Sequence, residues 1–432
     1  MAITKEKIIN KLTEGRLLRK TAQKILDAPD RWLGTAYRKH IAKKTPTDPK
    51  KVMFIAFQGD YTCNPKYICE ELKRQKVDCN IVWMSRKASS LSGYKMEEPE
   101  DDELAKQVIE YGQPAESNLD ITIVKNTSAD FYRELASAKI WIANSVEFLK
   151  QPTYKKKDQV FIETWHGSLG IKRFDASANS GKGWVRAAKY TTKVCDYLIS
   201  NSDFEDDVYR GSFWPTQKIW RFGHPRNDII VDPEKRAEIK RKIYEHYEIE
   251  DDVRICMYAP TFRDSHSFDI YDIDYYRLVA ALEAKFGGRW KVLLRFHPTV
   301  RKYAEGKVPY DPEIMVKGTR YNDMQELIAA TDIAITDYSS WIYDFMLTGL
   351  PGFIFATDIA DYMNERGFYY SLYDTPFPVC TNNDELIEAI KNFDMDAYAQ
   401  KNKEFLEGKG CVEDGRASER VVEEIKKILG NA

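Results

Sequence analysis

The chain has 432 residues, of which 43% are hydrophobic and 31% charged, a composition typical of a folded globular protein. This length exceeds what one hydrophobic core usually holds and predicts two domains of roughly 200 residues each. The formal net charge of −2 gives no overall basic field for a nucleic-acid partner, so none is expected. No apolar run approaches the ~18 residues of a membrane-spanning helix.

The cysteines and the N-terminus favour a cytoplasmic location. The seven cysteines are scattered and include no CxxC pair, which indicates reduced thiols rather than a disulfide framework or a zinc site. The first ten residues lack the apolar stretch of a secretory signal.

Residues 1–50 form a distinct basic segment. Between Lys5 and Lys51, fourteen Lys and Arg residues against five acids give a local net charge of +9. Apolar residues recur there at roughly helical spacing. Such a cationic amphipathic segment can lie on an anionic membrane surface. It can equally pack on the first domain with its lysines in solvent, and the sequence leaves both interpretations open.

From Lys51 onward, predicted strands and helices alternate. The first series of short apolar runs predicts strands over 52–57, 80–84, 138–143, 159–162, 196–200 and 219–223. A helix is predicted over 66–74, and Ser202 with Glu205 has the capping-box pattern that begins another. This alternation favours an α/β fold with a mostly parallel sheet.

A second alternating series follows a break at residues 223–232. Its predicted strands are 253–258, 291–296, 314–316, 332–336 and 352–355, and its predicted helices are 234–247, 275–286, 323–331, 340–348 and 383–393. We therefore expect a first domain over 51–230, a second over 231–410 and a closing helix within 411–432. Two parallel-sheet domains bind ligands at the carboxyl ends of their strands, in the cleft between them.

The loop after strand 332–336 reads Asp337-Tyr338-Ser339-Ser340 and leads into a helix. A helix N-terminus with unpaired N–H groups, flanked by two hydroxyls, can hold phosphate oxygens. The alternative is that Asp337 or Ser339 only caps the helix. Two further loops bring cationic or titratable side chains to the same side of the cleft as the Asp337-Tyr338-Ser339-Ser340 loop. Arg295 lies at the end of strand 291–296 and His297 directly follows it, and Arg263 follows strand 253–258. An arginine can donate bidentately to phosphate.

In the first domain, strand 159–162 leads to Trp165-His166-Gly167. A histidine followed by glycine on such a loop can be approached closely by a substrate and can act as a general base toward a hydroxyl. The alternative is a hydrogen-bonded structural histidine. No GxGxxG, Walker A, GxSxG, HExxH or EF-hand pattern occurs, which excludes the dinucleotide, P-loop, serine-hydrolase and zinc-protease interpretations.

In their order and spacing, the loop motifs together resemble the CDP-glycerol glycerophosphotransferases, which build teichoic acids and related capsular polymers. The motifs that carry the resemblance are Trp165-His166-Gly167, Ser200-Asn201-Ser202, Phe222-Gly223-His224-Pro225-Arg226-Asn227-Asp228, Ala259-Pro260-Thr261-Phe262-Arg263, Arg295-Phe296-His297-Pro298, Thr336-Asp337-Tyr338-Ser339-Ser340 and Asp414-Gly415-Arg416-Ala417. One departure is His224, at a position that is often tyrosine in the family; this makes His224 a weak additional catalytic candidate.

The resemblance implies a GT-B-like pair of Rossmann-type domains whose parallel sheets face a central cleft. It implies transfer of glycerol phosphate from CDP-glycerol to a hydroxyl of a polyprenol-linked glycan or poly(alditol phosphate), with release of CMP. His166 and His297 would be catalytic. Substrate contacts are expected from residues of the same motifs, namely Gly167, Arg226, Asp228, Arg263, Arg295, Asp337, Ser339 and Ser340. Asp344, one turn into the helix, could reach a ribose or glycerol hydroxyl of the donor, but the favoured interpretation is an exposed helical acid.

Two rival activities remain open: transfer of ribitol phosphate from CDP-ribitol, and transfer of a sugar by a GT-B glycosyltransferase. A non-catalytic binding module is a third interpretation, against which the histidines and the serine pair argue. In-line phosphoryl transfer needs positioning and positive potential, so no protein-bound metal or other cofactor is expected, although Mg²⁺ can accompany the nucleotide. Because the implied acceptors are lipid-linked, we expect the basic segment to bring the cytoplasmic enzyme to the inner face of the cell membrane.

Overall fold

A computed structural model describes residues 28–56, 60–85, 121–126, 128–145, 154–170, 172–173, 182–261, 272–296, 308, 310–359 and 367–430. These residues form two parallel β-sheets with helices packed against them. The expected GT-B-like α/β architecture of two Rossmann-type domains is confirmed.

The first sheet has seven strands in the order β3-β2-β1-β4-β5-β6-β7, all parallel. The strands are β1 Asp48–Ile55, β2 Asn80–Ser85, β3 Ile121–Lys125, β4 Ala138–Ala143, β5 Val160–Glu163, β6 Tyr197–Ser200 and β7 Lys218–Arg221. The chain builds outward from β1 to β3 and then returns to β4 beside β1. Loops after β1 and β4 therefore diverge at the point where strand order reverses, which is where open α/β sheets bind ligands.

The second sheet repeats this plan with six parallel strands in the order β10-β9-β8-β11-β12-β13. Its strands are β8 Val253–Tyr258, β9 Arg289–Leu294, β10 Met315–Lys317, β11 Ile333–Thr336, β12 Gly352–Phe355 and β13 Val379–Cys380. The strand order reverses between β8 and β11. The loops that begin at Ala259 and at Asp337 thus leave the sheet at its ligand-binding point.

Helices cover both sheets. The helices of the first sheet are α1 Ala28–Lys44, α2 Cys63–Arg74, α3 Ala129–Ser137, α4 Lys182–Val194 and α5 Asp203–Gly211. Those that follow are α6 Asp228–Val231, α7 Pro233–His246, α8 Tyr275–Phe286, α9 Met324–Ala330, α10 Trp341–Phe345, α11 Asn383–Lys391, α12 Met395–Gly408 and α13 Ala417–Leu429. Short 3₁₀ turns lie at Pro225–Asn227, Met346–Thr348 and Leu372–Asp374.

The helix ends follow from local chemistry. The Asp274 carboxylate accepts the Arg277 N–H at 3.1 Å at the start of α8, and Gly287, with φ of +70°, ends that helix. Ser202 Oγ accepts the Glu205 N–H at 3.1 Å, as the capping pattern predicted. The Glu205 carboxylate, however, accepts the N–H of Asn201 rather than that of Ser202.

The closing helix α13 returns to the first domain. Its buried face, Val421, Val422, Ile425 and Leu429, joins the core formed with β1, β2, β4 and β5. The chain thus crosses between the domains twice, once near residue 225 and again before α13. Residues far apart in sequence meet at this junction.

The basic segment is described only in part. Within α1, Arg38 and Ala42 are buried, and the Arg38 guanidinium lies 5.5 Å from the ring centroid of Tyr132 on α3. These contacts support packing on the first domain for residues 28–44, and residues 1–27 lie outside the described part of the chain. No helix among the described residues has the length and apolar character needed to cross a bilayer.

Candidate active site

The loop after β11 carries the Asp337-Tyr338-Ser339-Ser340 motif at the base of α10. Asp337 is 3% exposed, and its Oδ1 accepts the Thr261 N–H at 2.8 Å and the Tyr338 N–H at 2.5 Å. The carboxylate therefore joins the loops that follow β8 and β11, the two strands at the reversal point. This contact draws the Ala259-Pro260-Thr261 and Ser339-Ser340 segments together at the cleft.

Neither Asp337 nor Ser339 caps α10. Ser340 is the N-cap residue and makes no side-chain cap hydrogen bond. Both serines are half-buried, and neither hydroxyl hydrogen-bonds to another described residue. Helix α10 is five residues long and continues as a 3₁₀ turn, so its dipole contributes less than the predicted longer helix would. The two hydroxyls remain the main groups this tip offers to a phosphate.

His166 lies on the loop after β5 and is exposed, and a short contact helps to orient its ring. Nδ1 lies 2.6 Å from the carbonyl oxygen of Asn144, which directly follows β4. A carbonyl only accepts hydrogen bonds, so Nδ1 carries the proton in the neutral ring. The lone pair is then on Nε2, and the contact selects the tautomer that a general base needs.

The turn that presents His166 has a strained backbone. Trp165 has φ of +51°, a left-handed conformation that is costly for a large side chain. Its N–H donates to Oε1 of Glu163 at 2.8 Å, and its indole lies against the His166 ring with centroids 4.6 Å apart. Glu163 is fully buried, which raises its pKa from 4.5 to about 8. The Oε2 atom of Glu163 has no hydrogen-bond partner among the described residues.

Beyond His166, the same loop crosses to the second domain. A Cβ placed on Gly170 would lie 2.8 Å from Cβ of Ser340, so only glycine allows the loop to approach the tip of α10 this closely. Leu169 is buried within the core of the second domain, and the Tyr370 hydroxyl donates to its carbonyl oxygen. The structure thus places the His166 loop of one domain directly against the serine pair of the other.

Arg226 and Asp344 form a buried ion pair across the domain junction. Arg226 is 3% exposed, its Nη2 lies 3.0 Å from an Asp344 oxygen, and the same nitrogen donates to the Gly167 carbonyl at 2.6 Å. The expectation that Asp344 is an exposed acid is wrong, since it is 3% exposed. Asn227 and Gln325 each donate to its carboxylate at 3.0 Å. These contacts support a structural role for Arg226.

Asp228 and His224 also lie inside the protein. Asp228 accepts the backbone N–H groups of Ala417 and Ser418 at 2.9 and 2.8 Å, and so fixes the start of α13. His224 is fully buried, with Nε2 2.9 Å from the Glu205 carboxylate. The recorded contacts of both side chains are with the protein itself, which gives no support to a catalytic role for His224.

Of the remaining predicted site residues, the structure describes Arg295 but not Arg263 or His297. Arg295 is half-buried, and its Nη1 donates to the carbonyl oxygens of Gly318 at 2.9 Å and Thr319 at 3.2 Å, so it braces the loop after β10. His297 and Arg263 lie outside the described residues, and their predicted roles remain predictions.

Two residues near the site were not identified from the sequence. Lys172 Nζ lies 3.3 Å from Thr261 Oγ1, and its backbone pairs with Phe368 of the second domain. This ammonium group reaches the loop that Asp337 holds. Asn64, at the start of α2, donates to two carbonyls of the His166 turn. Neither residue lies in a motif that strand and helix patterns single out, because both reach the site only through the tertiary fold.

Comparisons with known proteins show the family to which the chain belongs. Residues 36–427 match the sequence profile of the family described as CDP-glycerol:poly(glycerophosphate) glycerophosphotransferase. The chain is 29% identical over 409 residues to a teichoic acid poly(glycerol phosphate) polymerase of Staphylococcus epidermidis, covering 90% of this chain and 52% of that protein. It is 26% identical over 398 residues to a teichoic acid glycerol-phosphate transferase of Staphylococcus aureus, covering 87% of this chain and 92% of that protein.

The chain therefore spans about half the length of the first relative and nearly all of the second. Among solved structures, it is similar to a variant of the wall teichoic acid polymerase TagF obtained after a soak with CDPG. The TM-score is 0.74 at 26% identity, with 95% of this chain and 97% of that chain covered. The profile match over most of the chain, together with this shared fold, shows that the protein belongs to the CDP-glycerol:poly(glycerophosphate) glycerophosphotransferase family.

Proposed function

We propose that this protein transfers glycerol phosphate from CDP-glycerol to a hydroxyl group of an acceptor polymer and releases CMP. The observation that carries the proposal is the placement of the His166 loop against the Ser339–Ser340 tip, with the His166 tautomer set by Asn144. Family membership and the similarity to TagF soaked with CDPG support the choice of donor.

In the proposed reaction, Nε2 of His166 takes the proton of the acceptor hydroxyl. That oxygen attacks the phosphorus that bears the glycerol, the new O–P bond forms, and the bond from this phosphorus to the bridging oxygen breaks. CMP leaves with the bridging oxygen, and His166 later returns its proton to solvent. To act as a general base in this reaction, the His166 imidazole needs to be positioned at the acceptor hydroxyl with Nε2 unprotonated.

The donor phosphates are proposed to bind at the second domain. Ser339 and Ser340 supply hydroxyls, and Lys172 supplies positive charge beside Thr261. His297 and Arg263 are proposed to complete the set, with His297 assisting departure of CMP. Positive groups aimed at the transferring phosphoryl oxygens stabilise the charge that develops there. We propose that these side chains act without a protein-bound metal, so that turnover with purified donor persists in EDTA.

The acceptor is proposed to be a polyprenol-linked glycan or a growing poly(alditol phosphate), in teichoic acid or capsule synthesis. Such an acceptor lies at the inner face of the membrane. The cationic residues 1–50 would bring the enzyme there by attraction to anionic lipids. Deleting residues 1–27, which leaves the packed part of α1 intact, should weaken binding to anionic liposomes. Unchanged binding would remove this segment from the proposal.

The activity is tested by measuring CMP release with CDP-glycerol, CDP-ribitol and UDP-sugars in the presence of a lipid-linked acceptor. We expect CMP from CDP-glycerol. Preference for CDP-ribitol would change the alditol, and release of UDP would indicate a glycosyltransferase. His166→Ala should reduce turnover by at least about 10²-fold, because general-base catalysis typically contributes this much. His40→Ala, an exposed histidine on α1, is the matched control.

A further inference from the structure

The turn that carries His166 is held by a residue from a different part of the chain. Asn64 is fully buried at the start of α2, directly after Cys63, whose φ is +61°. Its Nδ2 donates to the carbonyl oxygens of Thr164 at 3.0 Å and Trp165 at 3.1 Å. These are the two residues that immediately precede His166.

The second polar atom of the Asn64 side chain, Oδ1, contacts the domain junction. Oδ1 accepts the backbone N–H of Arg226 at 3.1 Å. The two carbonyls on one side can only accept and the N–H on the other can only donate, so the amide has one allowed orientation. Every hydrogen-bonding need of this buried amide is therefore met by the His166 turn and by the junction.

These contacts link the turn to the second domain. The Arg226 side chain pairs with Asp344 of α10 and donates to the Gly167 carbonyl, just beyond His166. Asn64 and Arg226 thus donate hydrogen bonds to the backbone of the turn on both sides of His166. Helix α10 directly follows the serine pair, so the same series of contacts connects the imidazole to the tip where the donor phosphates are proposed to bind.

The turn needs this support because its backbone is strained. The carbonyls of the buried residues Thr164 and Trp165 both accept from Asn64, and the Trp165 carbonyl also lies 3.3 Å from the Thr164 hydroxyl, so loss of Asn64 would affect the Thr164 carbonyl most. A buried carbonyl without a partner costs about 1–3 kcal/mol. Without the two N–H donors of Asn64, we expect the backbone at Trp165 to relax out of the left-handed conformation, and His166 would move with it.

We propose that Asn64 is a positioning residue for the reaction, which holds His166 in register with the donor-binding tip of α10. The inference rests on the proposed role of His166 as general base. A displacement of about 1 Å at a reacting group can cost on the order of 10²-fold in rate. Loss of the Asn64 donors is therefore expected to reduce turnover without changing how the donor binds.

The decisive variant is Asn64→Asp. It keeps the shape of the side chain and the acceptor for the Arg226 N–H, but it replaces the donor group by an oxygen facing two carbonyls. We expect kcat to fall by about 10–100-fold, with an unchanged dissociation constant for CDP-glycerol. Rates are normalised to the fraction of protein that binds the donor, so that partial misfolding does not count as lost catalysis.

Coupling to His166 distinguishes positioning from general structural support. If Asn64 acts through the imidazole, Asn64→Asp should cause no further loss in a His166→Ala background. An equal loss in both backgrounds would overturn the inference. If Asn64→Asp does not fold, Asn64→Ser, which keeps one donor, is judged by the same criterion.

A matched control is Gln159→Glu. Gln159 is 1% exposed, and its Nε2 donates to three carbonyls, those of Leu135, Ala136 and Ala138. Gln159 makes the same kind of contact directly before β5, whereas His166 lies after the other end of that strand. Gln159→Glu should lower the stability of the protein and leave the normalised kcat unchanged. Full turnover of Asn64→Asp, with His166→Ala inactive, would overturn the positioning role alone; full turnover of His166→Ala would overturn the proposed function.

Discussion

Replacing Arg226 separates a substrate contact from a structural one. Its guanidinium is almost completely buried, lies 3.0 Å from the Asp344 carboxylate and donates to the Gly167 carbonyl at 2.6 Å. In Arg226→Met, the methionine fills much of the space but leaves the Asp344 charge buried without its counter-ion. Breaking one side of a buried ion pair typically costs about 3–5 kcal/mol.

The remaining contacts refine this magnitude. Asn227 and Gln325 still donate to the Asp344 carboxylate in the variant, each at 3.0 Å. The decrease in the free energy of unfolding should therefore lie near the lower end of that range, at about 3 kcal/mol. Arg133→Met is the matched control, because Arg133 forms an exposed ion pair with Asp130, and such pairs contribute only about 0–1 kcal/mol.

The assay combines urea denaturation with calorimetric titration of CDP-glycerol. We expect Arg226→Met to lower the free energy of unfolding by about 3 kcal/mol, while the folded protein binds CDP-glycerol with unchanged affinity. A cycle with Asp344→Asn should show strong coupling between the two side chains. An unchanged urea midpoint together with weakened donor binding would refute the structural assignment and restore Arg226 as a substrate contact.

Three further predictions concern separate parts of the molecule. The pKa of Glu163 is raised by burial from 4.5 to about 8, so the folded state holds a proton that the unfolded state releases. The contribution of the protonated Glu163 to stability is full below pH 4.5 and is lost as the pH rises to about 8. Across this range, the urea midpoint should fall less steeply with pH for Glu163→Gln than for the unsubstituted protein. Equal pH dependence of the two proteins would contradict the raised pKa of Glu163. Ile425→Ala should destabilise the protein by about 2–5 kcal/mol because Ile425 is fully buried beneath α13, whereas exposed Lys427→Ala should change stability by less than about 0.5 kcal/mol. Lys172→Met should weaken CDP-glycerol binding by about 10- to 150-fold, because a charge-assisted contact contributes about 1.5–3 kcal/mol. Cytidine binding should be unchanged, and equal affinity of the variant for CDP-glycerol would exclude Lys172 from the phosphate site.

The apolar runs of the sequence determined most strands directly. Residues 138–143 and 253–258 form strands with the predicted bounds, because a strand buried on both faces must be a continuous apolar run. Two edge strands, β3 and β13, were not predicted. Val379–Cys380 has only two residues and gives no apolar run. Ile121–Lys125 contains Ile121, Ile123 and Val124, and this strand signal was missed.

The sequence by itself also marked the loops on which the chemistry depends. Trp165-His166-Gly167 and Asp337-Tyr338-Ser339-Ser340 follow strands, and polar residues that follow parallel strands gather at one edge of a sheet. Their order and spacing were enough to indicate the family.

Only the tertiary structure decided which of those residues face each other and which are internal supports. Arg226, Asp228 and Asp344 look like surface or substrate-binding charges in the sequence, but the return of α13 and the docking of the two domains bury all three. Asn64 lies about a hundred positions from Thr164 and Trp165, whose carbonyls it holds. A local pattern records periodicity and turn chemistry, whereas hydrogen bonds between distant segments depend on how two separately formed sheets pack, and that information is spread over the whole chain.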